Sequence, residues 1–396
     1  MNPAFSGTML HRYMSVFNEQ AIILSKRLSQ QANTATVIDL WEYISDMNFD
    51  TVTENMTDYK LHVQETGGND FSKAVQKALH LESQRINNPI LFFSIFFTVF
   101  QYITGNGGLS EKINELPAQI VRQKMCEYEN EKKKLKDNGV KEEKPEKSLI
   151  DFLLKIHETY PEFDENRIRI EILNMIFAGS DTTATTVSLV LLFLGIHPKI
   201  QDKVYNEILE VFQDDGRSNY NDTDELGKEL GLHVNVNVHQ CAKLAYMEQC
   251  IKETLRLFTL VPITARKCPE PVKIDDKLTI PANCMISFAY HAVHHNPIVY
   301  PNPERFDPDR FAPNNIRNKK DFMGFGAGPR ACIGSKYAML SMKTQLTHIL
   351  LRYRLTCEMA ISDIVHIVDM LSRSQNGYPV KIWRRSNVKS SVHLCR

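Results

Sequence analysis

Apolar residues recur at three- and four-residue intervals through most of the first half of the chain. The spacing over Phe17–Leu28 (FNEQAIILSKRL), Val37–Met56, Phe71–Leu81 and Ile113–Leu135 predicts amphipathic helices. Residues 166–198, NRIRIEILNMIFAGSDTTATTVSLVLLFLGIHP, follow another pattern: they are apolar almost all round through Leu194 and stop at Gly195 and Pro198. A long helix without a polar face is a buried one, so this segment is expected to run through the centre of the molecule. Arg167, Arg169, Glu171 and the SDTT cluster interrupt it and keep it from reading as a membrane span. KLAYMEQCIKETLRLFT predicts another amphipathic helix, short β-prone pieces follow at 271–274, 278–281 and 284–290, and NPIVYPNPERFDPDRFAP reads as proline-rich coil. The last helix is SKYAMLSMKTQLTHILLRY, ahead of a mixed tail. The pattern predicts a mainly α fold with a small β component, in a single domain spanning 1–396.

Three stretches fall outside that scheme. ILFFSIFFTVFQYI, Ile90–Ile103, is too short to cross a bilayer; a core helix is the first reading and a membrane-contacting surface the second. Residues 127–148 are densely charged, carry Gly139 and Pro145, and read as a frayed helix end running into an exposed loop. Residues 221–232 are polar and loop-like.

Composition mainly excludes. The 47 basic and 47 acidic residues cancel, which gives no footing for a nucleic-acid binder. Eight cysteines are scattered without a CxxC pair, which argues against a zinc ribbon or a disulfide framework and for reduced, cytosol-facing thiols. The first twenty residues lack a signal-peptide pattern.

The chemistry concentrates in FGAGPRACIG, Phe325–Gly334. Gly326 and Gly328 permit positive φ and a close backbone approach to a flat partner, and Pro329 stiffens the loop. Gly334 stands where the last helix starts, so backbone amides and the helix dipole are expected to favour a Cys332 thiolate. Arg330 can hold a carboxylate in a charge-assisted pair. A thiolate facing a broad planar object with carboxylates at its rim describes a haem with cysteine as axial ligand.

These ten residues resemble the haem-binding loop of the cytochrome P-450 superfamily, F-x-x-G-x-R-x-C-x-G, with Phe325, Gly328, Arg330, Cys332 and Gly334 on every fixed position. AGSDTT, Ala178–Thr183, is similar to the family's A/G-G-x-D/E-T-T signature on the central helix. There a mid-helix glycine and back-bonding hydroxyls are expected to kink the helix or widen a groove. Thr182 and Asp181 would then relay protons beside it. KETLR matches the family's E-x-x-R, which implies a buried network of Glu253, Arg256 and the arginine of PERF, Arg305. Arg266 falls where the resemblance implies a cation for a haem propionate. HAVHH could place two imidazoles together as a metal site, but it reads as the ordinary approach to PERF.

NPAFSGTMLHRYMSVFNEQ and AVHHNPIVYPNPERFDPDRF look like the eukaryotic family-four branch of fatty-acid and xenobiotic hydroxylases. The resemblance implies one cytochrome P-450 domain lacking about a quarter of the usual length, with the membrane anchor, first strands and first helices absent. It implies haem b as cofactor, NADPH as the indirect electron source through a flavoprotein reductase, and docking of that reductase on Lys319, Lys320 and Lys336. It also implies a small apolar substrate, peripheral membrane contact and the cytosolic face of the endoplasmic reticulum. Ala178 stands where some members carry a glutamate esterified to haem, so no such bond is expected. Gly324 replaces a frequent proline, which is expected to loosen the loop. The expected reaction is insertion of one oxygen atom of O2 into the substrate; the alternatives are a haem-thiolate peroxide isomerase and a non-catalytic fragment.

Overall fold

In the computed structural model, residues 2–67, 70–137, 146–214, 234–315 and 321–385 are described. A 3-10 turn at Asn2–Phe5 leads into α1 (Gly7–Ser29), whose three- and four-residue apolar spacing buries Tyr13, Phe17, Leu24 and Leu28. A two-residue strand β1 (Ile38–Asp39) precedes α2 (Trp41–Thr57), so the predicted helix over 37–56 starts later than its periodicity implied. Asp39 is the cause: its carboxylate accepts the Trp41 N–H at 3.0 Å and starts the helix there.

A short α3 (Val63–Thr66) is followed by α4 (Asp70–Asn87), α5 (Ser94–Ile103), α6 (Leu109–Asp137) and α7 (Leu149–Thr159). α6 continues through the charged stretch as far as Asp137, so residues 127–137 are helical surface rather than loop. Lys124 and Glu127, three apart, pair at 2.9 Å on that surface and support the helix. Residues 138–145 and the polar stretch 221–232 lie outside the described residues.

The central helix is α8, Glu165–Ile196, capped by the Asp164 carboxylate on the Arg167 N–H. From Thr183 to Gly195 every residue is buried. Its length and composition would suffice to cross a membrane, yet it packs against α2 and α6 and serves as the core helix. Helices α9 (Pro198–Asp214), α10 (Val238–Lys243), α11 (Ala245–Leu257), α12 (Tyr290–His294) and α13 (Ser335–Arg352) follow. α11 and α13 pack on α8, and α1 packs on α13.

The β component is small and antiparallel. Strand β9 (Pro379–Arg384) lies between β1 and β6 (Tyr353–Thr356). β2 (Ile263–Lys267) pairs with β5 (Met285–Ala289), and β3 (Val272–Lys273) pairs with β4 (Thr279–Ile280). β7 (His366–Val368) pairs with β8 (Ser372–Ser374) as a hairpin in the tail. The hairpin is tied to the end of α11 by the Ser372 N–H on the Leu260 carbonyl and by His366 against the Phe258 ring, 3.8 Å between centroids.

One expectation fails outright. α5 is no core helix: of its residues only Phe97 is buried, while Ile95, Phe96, Val99, Tyr102 and Ile103 are exposed, with Ile90, Phe92 and Phe93 just before it. Apolar character is compatible with burial in protein or in lipid, and among the described residues nothing covers this helix.

Candidate active site

The cysteine loop is held in place from beneath by His294. The Met323 N–H donates to His294 Nε2 at 3.0 Å, so the neutral ring carries its proton on Nδ1, which donates to Thr259 Oγ1 at 2.8 Å. The Thr259 hydroxyl donates in turn to the Arg256 carbonyl at 3.1 Å, and the imidazole stacks on Phe322. Burial, with the Arg256 guanidinium nearby, lowers the His294 pKa to about 3, so the ring stays neutral and keeps its accepting nitrogen. His294 is thus a positioning residue, and among the described residues no group of side chains from HAVHH or elsewhere could hold a metal ion.

From Met323 onward the backbone turns tightly. A Cβ at Gly324 would lie 2.4 Å from the Phe322 ring, so this glycine packs the loop rather than loosening it. Gly326 and Gly328 have φ of 71° and 75°, the left-handed region that favours glycine. Phe325 packs on the core, and its carbonyl accepts the Cys332 N–H at 2.8 Å, which closes the loop. Cys332 is exposed, and a Cβ at Gly328 would stand in open space. The Gly334 backbone lies beside the sulfur. The expected thiolate is not a property of the chain alone: desolvation pushes the Cys332 thiol up, and the Gly334 N–H only partly opposes it. A bound metal ion deprotonates a coordinating thiol outright.

The surroundings suit a planar, anionic, largely apolar group. Arg330 is exposed at the end of the Gly328–Arg330 turn. Arg266 on β2 is exposed, and its guanidinium donates to Thr264 Oγ1 at 3.1 Å and to the Ala265 carbonyl at 2.8 Å, leaving it without a carboxylate partner among the described residues. A Cβ at Gly326 would lie 3.9 Å from the Tyr290 hydroxyl, which sets the loop beside the end of β5. Val261, Ile263, Phe288 and Ile333 are apolar and exposed on these elements. An accessible sulfur, two cations and a glycine-lined backbone fit haem.

On α8 the outcome is mixed. The Ser180, Thr182, Thr185 and Thr186 hydroxyls each donate to the carbonyl four residues back, Thr182 to Ala178 at 2.7 Å. The helix runs unbroken from Glu165 to Ile196. Gly179 has a different use, because a Cβ there would stand 3.1 Å from Val52 of α2; it brings the two helices together. Ala178 is exposed and offers only a methyl group. Asp181 is buried, and both its oxygens accept from Arg373 Nη2, at 2.8 and 2.7 Å. Burial raises the Asp181 pKa while Arg373 pulls against it. The guanidinium also lies over the Trp41 ring, 5.2 Å from its centroid. Arg373 sits on β8, 192 residues further on, and no spacing in the chain pointed to it.

The E-x-x-R pair is buried with both side chains at 0% exposure and makes two hydrogen bonds, Arg256 Nε and Nη2 to the Glu253 oxygens at 2.7 and 2.9 Å. Arg256 also donates to the carbonyls of His294 and Pro303, and Glu253 accepts the Asp307 N–H. The expected third member is corrected. Arg305 contributes only its carbonyl, 3.4 Å from Arg256 Nη2, and its side chain is exposed. A turn with Asn302 at φ 51°, closed by the Arg305 N–H on the Asn302 carbonyl, carries that side chain outward. Arg310 takes its place, with Nε 3.4 Å from Glu253 Oε1.

Comparison with known proteins agrees with this geometry. A family profile for cytochrome P-450 matches residues 1–381. The chain belongs to the cytochrome P-450 family. It is 28% identical to cytochrome P-450 4c3 of Drosophila melanogaster, over 97% of this chain and 70% of the relative. It is 29% identical to cytochrome P-450 4V2 of Mus musculus, over 97% and 71% respectively. Leukotriene-B4 omega-hydroxylase 3 of Mus musculus is 28% identical over 90% of this chain and 65% of its own length. Membership places this cytochrome P-450 among the oxidoreductases that incorporate molecular oxygen, with haem b as cofactor. Of the lysines expected to meet a reductase, Lys336 is exposed at the start of α13, whereas Lys319 and Lys320 lie outside the described residues.

Proposed function

We propose that this cytochrome P-450 binds haem through Cys332 and hydroxylates long-chain apolar substrates of the fatty-acid class. The observation that carries the reading is an exposed Cys332 in a loop closed by its own N–H on the Phe325 carbonyl, with two left-handed glycines, Gly326 and Gly328, beside it. Haem bound there supplies the oxygen-activating chemistry. The chain does the rest. The Gly334 amide tempers the charge on the sulfur, and Phe325 keeps the loop against the core. Arg330 and Arg266 pair with the carboxylates of the bound group.

Thr182 donates its own proton to Ala178, which leaves its oxygen lone pairs open to accept a hydrogen bond on the exposed side of α8. Asp181 lies one residue away, where burial favours its protonated form and Arg373 its ionised form, so it takes up a proton when the Arg373 contact loosens and gives it up when the contact re-forms. The methyl group of Ala178 forms no covalent bond, so acidic organic solvent should extract all the haem. Electrons arrive from NADPH through a reductase that meets the face bearing Lys336, and a reduction rate insensitive to ionic strength would argue against that contact. The apolar surface of α5 rests on the cytosolic face of the endoplasmic reticulum membrane, where such substrates partition.

The test is Cys332→Ser. The reduced protein treated with carbon monoxide should show the red-shifted Soret band of thiolate ligation in the parent and lose it in the variant, together with bound pigment and turnover. A serine variant that kept that band would overturn the assignment.

A further inference from the structure

A second cavity has none of the cysteine-loop residues in its lining. It measures about 840 Å³ and opens between α4 and α6, which pack on each other, with Phe49 of α2 among its lining residues. Its inner wall is apolar: Phe71 stacks on the buried Phe49 at 5.1 Å between centroids, beside buried Ala74 and half-buried Leu116. Its rim is charged. Asp70, Lys73 and Lys77 lie on one face of α4, and Lys112 and Glu115 on one face of α6, all exposed.

One polar atom in the lining is unaccounted for. Asn106 is 7% exposed, and its Oδ1 has no hydrogen-bond partner among the described residues. Turning the amide over does not help. Asn106 Nδ2 donates to Thr104 Oγ1 at 2.8 Å, and the Thr104 hydroxyl proton already goes to the Phe100 carbonyl at 2.7 Å, so Thr104 cannot donate to a flipped oxygen. A buried acceptor that no described residue satisfies is a place for a ligand donor.

We propose that this cavity binds a phospholipid whose headgroup carries a primary ammonium. The phosphate meets the lysines, the ammonium donates to Asn106 Oδ1, and the acyl chain covers Phe49, Phe71 and Leu116. The two rim carboxylates disfavour a purely anionic guest and favour one that brings its own cation. The source is a lipid rather than a soluble amine phosphate, because the lining residues Gly105, Asn106 and Gly108 follow directly in the chain on α5, whose apolar side chains are exposed among the described residues.

The experiment is calorimetric titration of the full chain with single-chain oleoyl lysophosphatidylethanolamine below its micelle concentration. The choline analogue has the same phosphate and chain but no N–H donor, and O-phosphoethanolamine has the headgroup alone. The ethanolamine lipid should bind about tenfold tighter than the choline lipid, and the soluble headgroup at least about a hundredfold weaker. Asn106→Leu should erase the preference between the two lipids while both still bind. Lys73→Gln with Lys77→Gln should weaken both about tenfold. Equal affinity for the two lipids, a preference that survives Asn106→Leu, or tight binding of the headgroup alone each overturns the proposal. Should Asn106→Leu fail to fold, Leu116→Trp fills the inner wall: loss of binding with an unchanged circular-dichroism melt supports the site, and undiminished binding overturns it.

Discussion

Two carboxylate–arginine pairs are buried in this cytochrome P-450, and they are built for different ends. Glu253–Arg256 lies within one helix, three residues apart, with both side chains at 0% exposure and every partner a carbonyl, an amide or a second arginine. Asp181–Arg373 joins the core helix to a tail hairpin, and a single Arg373 nitrogen makes both contacts. Arg373 keeps 19% side-chain exposure. The first pair is locked by its surroundings; the second is a joint that can open without unfolding its neighbours. Equal chemistry at equal distances therefore does not imply equal function. What differs is how many other groups fix each charge.

The contrast is sharpest under truncation. Arg256→Ala strips the buried Glu253 of its two-bond partner and leaves only Arg310 at 3.4 Å, which should cost about 3 kcal/mol and show as a lowered denaturant midpoint with poor haem retention. Asp181→Asn should leave the midpoint near the parent value and lower turnover by about a hundredfold, read as product formed per electron consumed. If both variants lost stability equally, the two pairs would have the same standing and the distinction would fail. Arg373→Ala removes the charge that opposes desolvation of Asp181, so that carboxyl rises further and the alkaline limb of the turnover profile should move to higher pH.

Acid offers a subtler probe. His294 is depressed to about 3 from an ordinary value near 6.5, so between those values the unfolded chain binds a proton that the folded chain does not. Its contribution is complete above pH 6.5 and declines as pH falls, by up to about 1.4 kcal/mol per unit. Asp50, raised to about 6 by burial, acts in the opposite sense between that value and its ordinary 3.8. His294→Gln should flatten the acid limb of a stability–pH curve, whereas an unchanged limb would show that other groups set it. The smallest effect is expected at Arg305→Ala, within about 0.5 kcal/mol, because that side chain points into solvent.

The cysteine loop, the core helix and the E-x-x-R pair were all legible in the chain because each is a short motif on a regular element. What escaped lay in irregular segments. PERF pointed to Arg305, but a left-handed Asn302 decides which side chains of that coil face inward, and coil has no period from which facing can be read. Arg373 stood in the mixed tail, where only a hairpin folding back onto α11 brings it to Asp181. α5 shows the complementary limit: its residues declare an aversion to water, and only the arrangement of neighbours shows that the described residues do not supply the shelter.

The hydrogen bond from Met323 to the His294 ring has a consequence for biogenesis. The cysteine loop is anchored to the buried arginine's own backbone by way of Thr259, so its shape is inherited from the surrounding protein rather than moulded around the pigment. Acquisition of the prosthetic group then resembles a key entering a finished lock, and a chain still waiting for its iron should already give the amide-exchange protection of the mature enzyme at Cys332.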